Sequence, residues 1–229
     1  MSQNFILGLD LGQSQDYTAL AILEQLEQEQ AEELEQAEEL KQGGGAVKRI
    51  YHYHVRRLER TRGTPYPQIV ARVKEIKSRL EGAALVIDST GVGQPVFDMF
   101  EQTGLKPTGI YIHGGDRVTH EGGTYRVPKR DLVGVLQVLL QNSRLKVAPG
   151  PLSDTLAKEM LNFKVKIDPL TAHDSYSAWR EAEHDDLVLS VALAAWYGER
   201  ISKRPKMTFT SRPVAVGGTF EDIMNWRPR

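Results

Sequence analysis

Residues Ala83 to Ile87 are apolar without interruption, and the run ends at Asp88. An unbroken apolar stretch of this length, with Gly82 before it and a carboxylate after it, describes a strand buried on both faces. Such a strand belongs to a parallel sheet with helices above and below, which commits this part of the chain to an α/β fold. The flanking segments agree. Ile69, Val70, Val73, Ile76 and Leu80 have helical spacing, and that pattern ends at Gly82. Gly91-Val92-Gly93 leads into a helix through Phe97, Phe100 and Leu105, and Thr108 to Ile112 is a second buried strand.

Farther along, Gly114 to Tyr125 is glycine-rich and polar, a loop or hairpin. Pro128 opens an amphipathic helix carrying Val133, Leu136, Leu139 and Leu140. Leu145 to Val147 reads as a small edge strand, and Ser153 caps a helix running to about Phe163. The last helix spans Asp185 to Ile201, where Ser190, Ala192, Ala194 and Ala195 are small enough to lie close against a sheet.

Ahead of the buried strand the pattern differs. Phe5 to Leu11 and Tyr17 to Leu23 are apolar runs separated by Gly12 to Asp16, which predicts an antiparallel hairpin. A third strand, Val47 to Leu58, alternates Tyr51, Tyr53 and Val55 with His52, His54 and Arg56. Between the second and third strands, Glu24 to Gln42 is almost entirely Glu, Gln, Ala and Leu and stops at Gly43-Gly44-Gly45. Propensity alone predicts an exposed helical insertion at about 24–45. The expected architecture is a mixed α/β sheet, three antiparallel strands followed by parallel ones, flanked by helices. It fills a domain over 1–203, with a basic, flexible tail at 204–229.

Of 229 residues, 40% are apolar and 26% charged, as in ordinary globular proteins. With no cysteine, disulfide scaffolds, thiolate metal sites and cysteine nucleophiles are excluded. No apolar run approaches the ~20 residues needed to cross a bilayer, and the first residues lack a signal-peptide layout. A cytoplasmic protein without a membrane partner is expected. The net charge of −1 conceals an asymmetry, because residues 24–39 hold eight glutamates and no Lys or Arg. The remainder carries 29 basic against 22 acidic residues, which permits a polyanionic partner.

Several carboxylates fall where elements end. Asp10 closes the first strand, Asp88 follows the fourth, and Asp185 and Asp186 open the last helix; Asp16 begins strand two across the hairpin from Asp10. Sites on α/β sheets gather where the parallel strands end, so Asp10 and Asp88 are expected side by side there with Asp185 above them. Clustered carboxylates raise one another's pKa unless a cation neutralises them. Oxygen-only ligation favours Mg²⁺ or Mn²⁺, and a pair of such ions suits in-line attack on a phosphodiester. Capping is the competing explanation for each acid taken alone, Asp185 and Asp186 included.

Four segments resemble one family. Gly8-Leu9-Asp10-Leu11-Gly12 followed by Asp16-Tyr17-Thr18-Ala19 is similar to the opening of the nuclease domain of phage large terminases, a branch of the RNase H-like superfamily. Val86-Ile87-Asp88-Ser89-Thr90-Gly91-Val92-Gly93 resembles their second acidic motif, Val127-Pro128-Lys129-Arg130-Asp131-Leu132-Val133 the helix after the glycine-rich hairpin, and His184-Asp185-Asp186-Leu187-Val188 the third motif. The match runs in consistent order over roughly residues 4 to 200. It implies an RNase H-like fold and metal-dependent endonucleolytic cutting of double-stranded DNA during viral genome packaging. Asp10, Asp88 and Asp185 would be the catalytic metal ligands, joined by Asp186, with Asp16 and His184 supporting and Lys129 near the DNA. It also implies partners among packaging proteins: a separate ATPase motor, a small terminase or a portal protein. Two features depart from the family: no Gly-x-x-x-x-Gly-Lys-[Ser/Thr] loop is present, and the Glu-rich insertion is unusual.

DNA contact is expected from Arg117, Arg126, Lys129 and Arg130, which flank the glycine-rich stretch, with Arg200, Lys203, Arg204 and Lys206 extending the last helix. Phosphate contacts of this kind position a duplex without reading its bases, so sequence preference should be weak. Three other readings share some of these residues. Gly-Leu-Asp-Leu-Gly-Gln-Ser also resembles a phosphate loop of actin-like sugar kinases, but those need two such domains. A Holliday-junction resolvase shares the sheet and the acids. A non-catalytic DNA-binding packaging module needs only the basic surface.

Overall fold

The computed structural model describes residues 4–12, 16–30, 48–91, 94–165 and 185–202. Its strands are β1 (Asn4–Asp10), β2 (Tyr17–Gln30), β3 (Lys48–Arg62), β4 (Ala84–Asp88), β5 (Thr108–His113), β6 (Thr119–Glu121), β7 (Thr124–Pro128) and β8 (Leu145–Val147). The helices among the described residues are α1 (Tyr66–Ser78), α2 (Gln94–Gln102), α3 (Lys129–Gln141), α4 (Ser153–Val165) and α5 (Asp186–Ser202). The eight strands of the described residues form one sheet in the order β6-β7-β5-β4-β1-β2-β3-β8. β1–β2 and β2–β3 pair antiparallel, whereas β1–β4, β4–β5 and β5–β7 are parallel. The expected mixed sheet is therefore present.

Each face of the sheet carries its own core. On one side Leu7, Leu9, Leu85 and Ile87 pack with Ile69, Val70 and Val73 of α1 and Val96 and Phe100 of α2. On the other, Ile6, Val86, Ile110 and Tyr53 pack with α3, with Leu156 of α4 and with α5 from Leu187 to Trp196. β4 lies between both cores, which is why its sequence does not alternate.

Gly8 and Gly198 set the position of α5. A Cβ on Gly8 would run into the Ser190 carbonyl oxygen and reach Ala194, and one on Gly198 would meet Tyr53 and Ile6. The helix thus lies on β1, antiparallel to it. Its N-terminus stands over the end of the sheet where β1 and β4 finish.

The glutamate-rich segment differs from expectation at its start. Glu24 to Gln30 is strand, paired with β3 from Glu24↔His54 to Gln30↔Lys48, and Glu24 and Gln25 are buried. The Gln25 side-chain amide nitrogen, with two hydrogens to donate, lies 3.0 Å from Tyr53 Oη, 3.2 Å from the Gly198 carbonyl and 2.7 Å from Ser202 Oγ, while Arg56 donates to Glu24 at 2.6 Å. Ladder pairing with β3 and these side-chain bonds outweigh helix propensities of a few tenths of a kcal/mol per residue. The remaining insertion (31–47), His184 and the tail from residue 203 lie outside the described residues. The stretch after β5 contains the β6–β7 hairpin, turned by Gly122 and Gly123 at φ 55° and 83°.

Candidate active site

The pairing Leu9↔Ile87 makes Asp10 and Asp88 the next residues along two adjacent parallel strands. Successive strand residues face opposite sides, so both acids share the face of Gly8 and Val86, beneath α5. Neighbouring strands run about 4.8 Å apart, close enough for the two carboxylates to act on one ligand. The row continues across the sheet. Asp10 pairs with Ala19, and Ala19 with Arg60, so Asp88, Asp10, Ala19 and Arg60 form a transverse line.

Local hydrogen bonds hold Asp88. Its Oδ1 accepts the Thr90 N–H at 2.7 Å, an Asx turn, and the side chain is buried. The Ile112 N–H donates to Thr90 Oγ1 at 2.8 Å, and the Ser89 N–H to the Ile110 carbonyl at 2.9 Å. The loop after β4 is thereby tied to β5. Asp16 is exposed just before β2, at the same end of the sheet. There the Gly12 N–H donates to Thr18 Oγ1 at 3.1 Å.

Asp185 caps α5, its carbonyl accepting the Leu189 N–H at 2.9 Å. Asp186 is engaged elsewhere: its Oδ2 accepts from Arg60 at 2.6 Å. Arg60 also stands 3.5 Å from Glu159 and stacks on the Tyr17 ring at 4.0 Å from its centroid. Glu159 Oε2 accepts the Val188 N–H at 3.0 Å, filling the positive end of α5. Burial pushes the Glu159 carboxyl up to about 7; the Asp186 carboxylate adds to the rise, while the Val188 and Leu187 amides and Arg60 oppose it.

Sequence reasoning missed this Arg60–Asp186–Glu159 group. A partial signal existed for Glu159, which sits three residues after Leu156 and so shares the apolar stripe of α4. Arg60 had none, since a strand arginine is ordinarily a surface residue.

The expected DNA contacts gather around β5, β7 and the start of α3. Arg117 is exposed in the loop after β5, and Lys129 opens α3 directly behind Pro128. Arg130 pairs with Asp116 Oδ1 at 2.7 Å and donates to the Asp116 carbonyl at 3.0 Å, pinning that loop. Arg126 instead stacks on Tyr111, 4.6 Å from the ring centroid. Both are alternate to the α5-facing Ile110, Ile112, Tyr125 and Val127, so this pair lies on the α2 side. Arg126 therefore lies on the opposite face of the sheet from α3, the helix that Lys129 and Arg130 open.

Two adjacent carboxylates with no thiol nearby make a hard-oxygen donor set, which suits a divalent ion that keeps several waters. Among the described residues, no group of three or more Asp, Glu or His side chains is arranged to hold a metal ion. The donors in register are thus the Asp10–Asp88 pair.

No family model matches the chain. Two curated proteins do: the large terminase subunits of Thermus phage G20c, 24% identical over 190 residues, and of Thermus virus P23-45, 23% identical over 190 residues. Each alignment covers 83% of this chain and 31% of the relative, so the chain spans about a third of the length of the curated relatives it matches. A crystal structure of the large terminase nuclease from phage G20c with bound magnesium superposes with a TM-score of 0.51 at 22% identity, over 84% of this chain and 80% of that one. In motif order and in its RNase H-like sheet, the chain resembles the nuclease domain of phage large terminases.

Proposed function

We propose that this protein is a metal-dependent endonuclease that hydrolyses double-stranded DNA with little sequence preference during viral genome packaging. The observation that carries the reading is the register of β1 against β4, which sets Asp10 and Asp88 on neighbouring strand ends beneath the start of α5. Asp10 and Asp88 hold a divalent cation, Mg²⁺ or Mn²⁺, and Asp185 is the third ligand, in a site for two ions. When bound, the ions supply Lewis acidity at the scissile phosphate.

The chain's own residues do the rest. Thr90 fixes the Asp88 carboxylate. Arg117 and Lys129 hold the backbone of the duplex beside it, and phosphate contacts alone carry no base preference. An ATPase motor, a small terminase or a portal protein would act as partners in packaging.

A second reading is a DNA-binding packaging module that does not cut; the lack of a three-carboxylate group among the described residues favours it. One experiment separates the two. Supercoiled plasmid incubated with the protein and Mn²⁺ should give nicked and linear products, and EDTA should stop the reaction. Asp10→Asn and Asp88→Asn should each abolish cutting while leaving the melting curve unchanged. Plasmid binding without cutting, in either metal, would establish the module instead.

A further inference from the structure

We propose that Arg60 is a positioning residue for the cation site: it withholds Asp186 and fixes the first turn of α5, so that Asp185 alone of the acidic pair serves the edge formed by Asp10 and Asp88. This rests on the reading of that edge as a divalent-cation site. Arg60 lies in the same transverse row as Asp10, two strands and about 10 Å away. It is fixed in three directions, by Asp186 at 2.6 Å, Glu159 at 3.5 Å and the Tyr17 ring at 4.0 Å. The side chains of Arg60, Asp186 and Glu159 are only 13%, 12% and 6% exposed, so water does little to weaken these contacts.

Glu159 ties the same helical turn from α4 through the Val188 N–H. The opening of α5 is thereby clamped from β3 and from α4, one residue past Asp185. Without Arg60, the buried Asp186 carboxylate and Glu159 carboxyl would face each other with no cation between them, and the turn would have to shift. A lysine cannot replace the arginine here, because one ammonium does not reproduce a planar fork that both stacks and spans two carboxylates.

The test is calorimetric titration of the full 229-residue chain with Mn²⁺, alongside plasmid cleavage as a function of Mn²⁺ concentration. Arg60→Met should weaken Mn²⁺ binding by about tenfold or more, the size of effect usual for residues that orient metal ligands. The Mn²⁺ needed for half-maximal cutting should rise by the same factor, with a smaller change in rate at saturation. Asp185→Asn should weaken binding as strongly, whereas Asp186→Asn, which keeps an acceptor for Arg60, should change it by less than about threefold. If Arg60→Met loses its cooperative melt, the contrast between Asp185→Asn and Asp186→Asn decides. Wild-type Mn²⁺ affinity in Arg60→Met, or equal losses in the two aspartate variants, overturns the assignment of Arg60 alone. A wild-type chain that neither binds Mn²⁺ nor cuts overturns the cation site and this role with it.

Discussion

The carboxyl of Glu159 shows how one side chain couples the site to stability. Its folded value of about 7 lies above the 4.5 of an ordinary glutamate. Between those values the native state keeps a proton that the unfolded chain has released, so this contribution to stability is complete below pH 4.5 and is lost as pH rises through 7. The loss should be on the order of 2–3 kcal/mol. Urea unfolding of the wild type and Glu159→Gln at pH 5, 6 and 7.5 should show a decline in the wild type that is much reduced in the variant. Parallel profiles would place the titration elsewhere. Thr90 offers a second residue-scale check. Thr90→Val removes the acceptor of the Ile112 N–H and should cost about 1–3 kcal/mol in the same assay. A variant as stable as the wild type would mean that the loop after β4 is not held by this bond.

At the scale of elements, the seat of α5 on β1 depends on the absence of a side chain at Gly8. Gly8→Ala would push a methyl into the Ser190 carbonyl, and displacing the helix should cost about 2–3 kcal/mol. Because the N-terminus of α5 stands over the Asp10–Asp88 edge, cutting should fall as well. Full stability and activity in Gly8→Ala would contradict the close packing. The elements that could be read in the sequence are those whose pattern is imposed by burial. β4 shows it as an unbroken apolar run, and α5 as small residues at the sheet contact. The strand ends then located Asp10 and Asp88, because a buried strand must give way to polar residues where it leaves the core. Glu24–Gln30 could not be read this way: its local preference is helical, and its partner lies across a hairpin in β3. The Arg60–Glu159 contact is equally hidden, since it joins β3 to α4 across nearly a hundred positions and follows no periodicity.

For the whole molecule, the two-sided core means that most of the fold stands on contacts independent of the glutamate-rich segment. Gln30 and Lys48 are register partners, so a two-residue Asn-Gly turn can replace residues 31–47 and close the β2–β3 hairpin. The shortened protein should melt within a few degrees of the wild type. It also loses five glutamates and one lysine, moving the net charge from −1 to about +3. Duplex DNA should therefore bind more tightly at low salt, with a steeper salt dependence of the binding constant, as a filter-binding series would show. Lost folding would contradict the independence of the core. Unchanged DNA affinity would show that the segment's charge does not reach the bound duplex. Among the described residues, no helix is long and apolar enough to cross a membrane. The proposed hydrolysis depends on the β1 and β4 ends sharing a divalent ion. A crystal soaked in Mn²⁺, with data collected for anomalous scattering, addresses it directly. A strong peak is expected about 2.1–2.2 Å from carboxylate oxygens of both Asp10 and Asp88, below the first turn of α5. A map with no peak at that edge, or with manganese bound only at other residues, would contradict it.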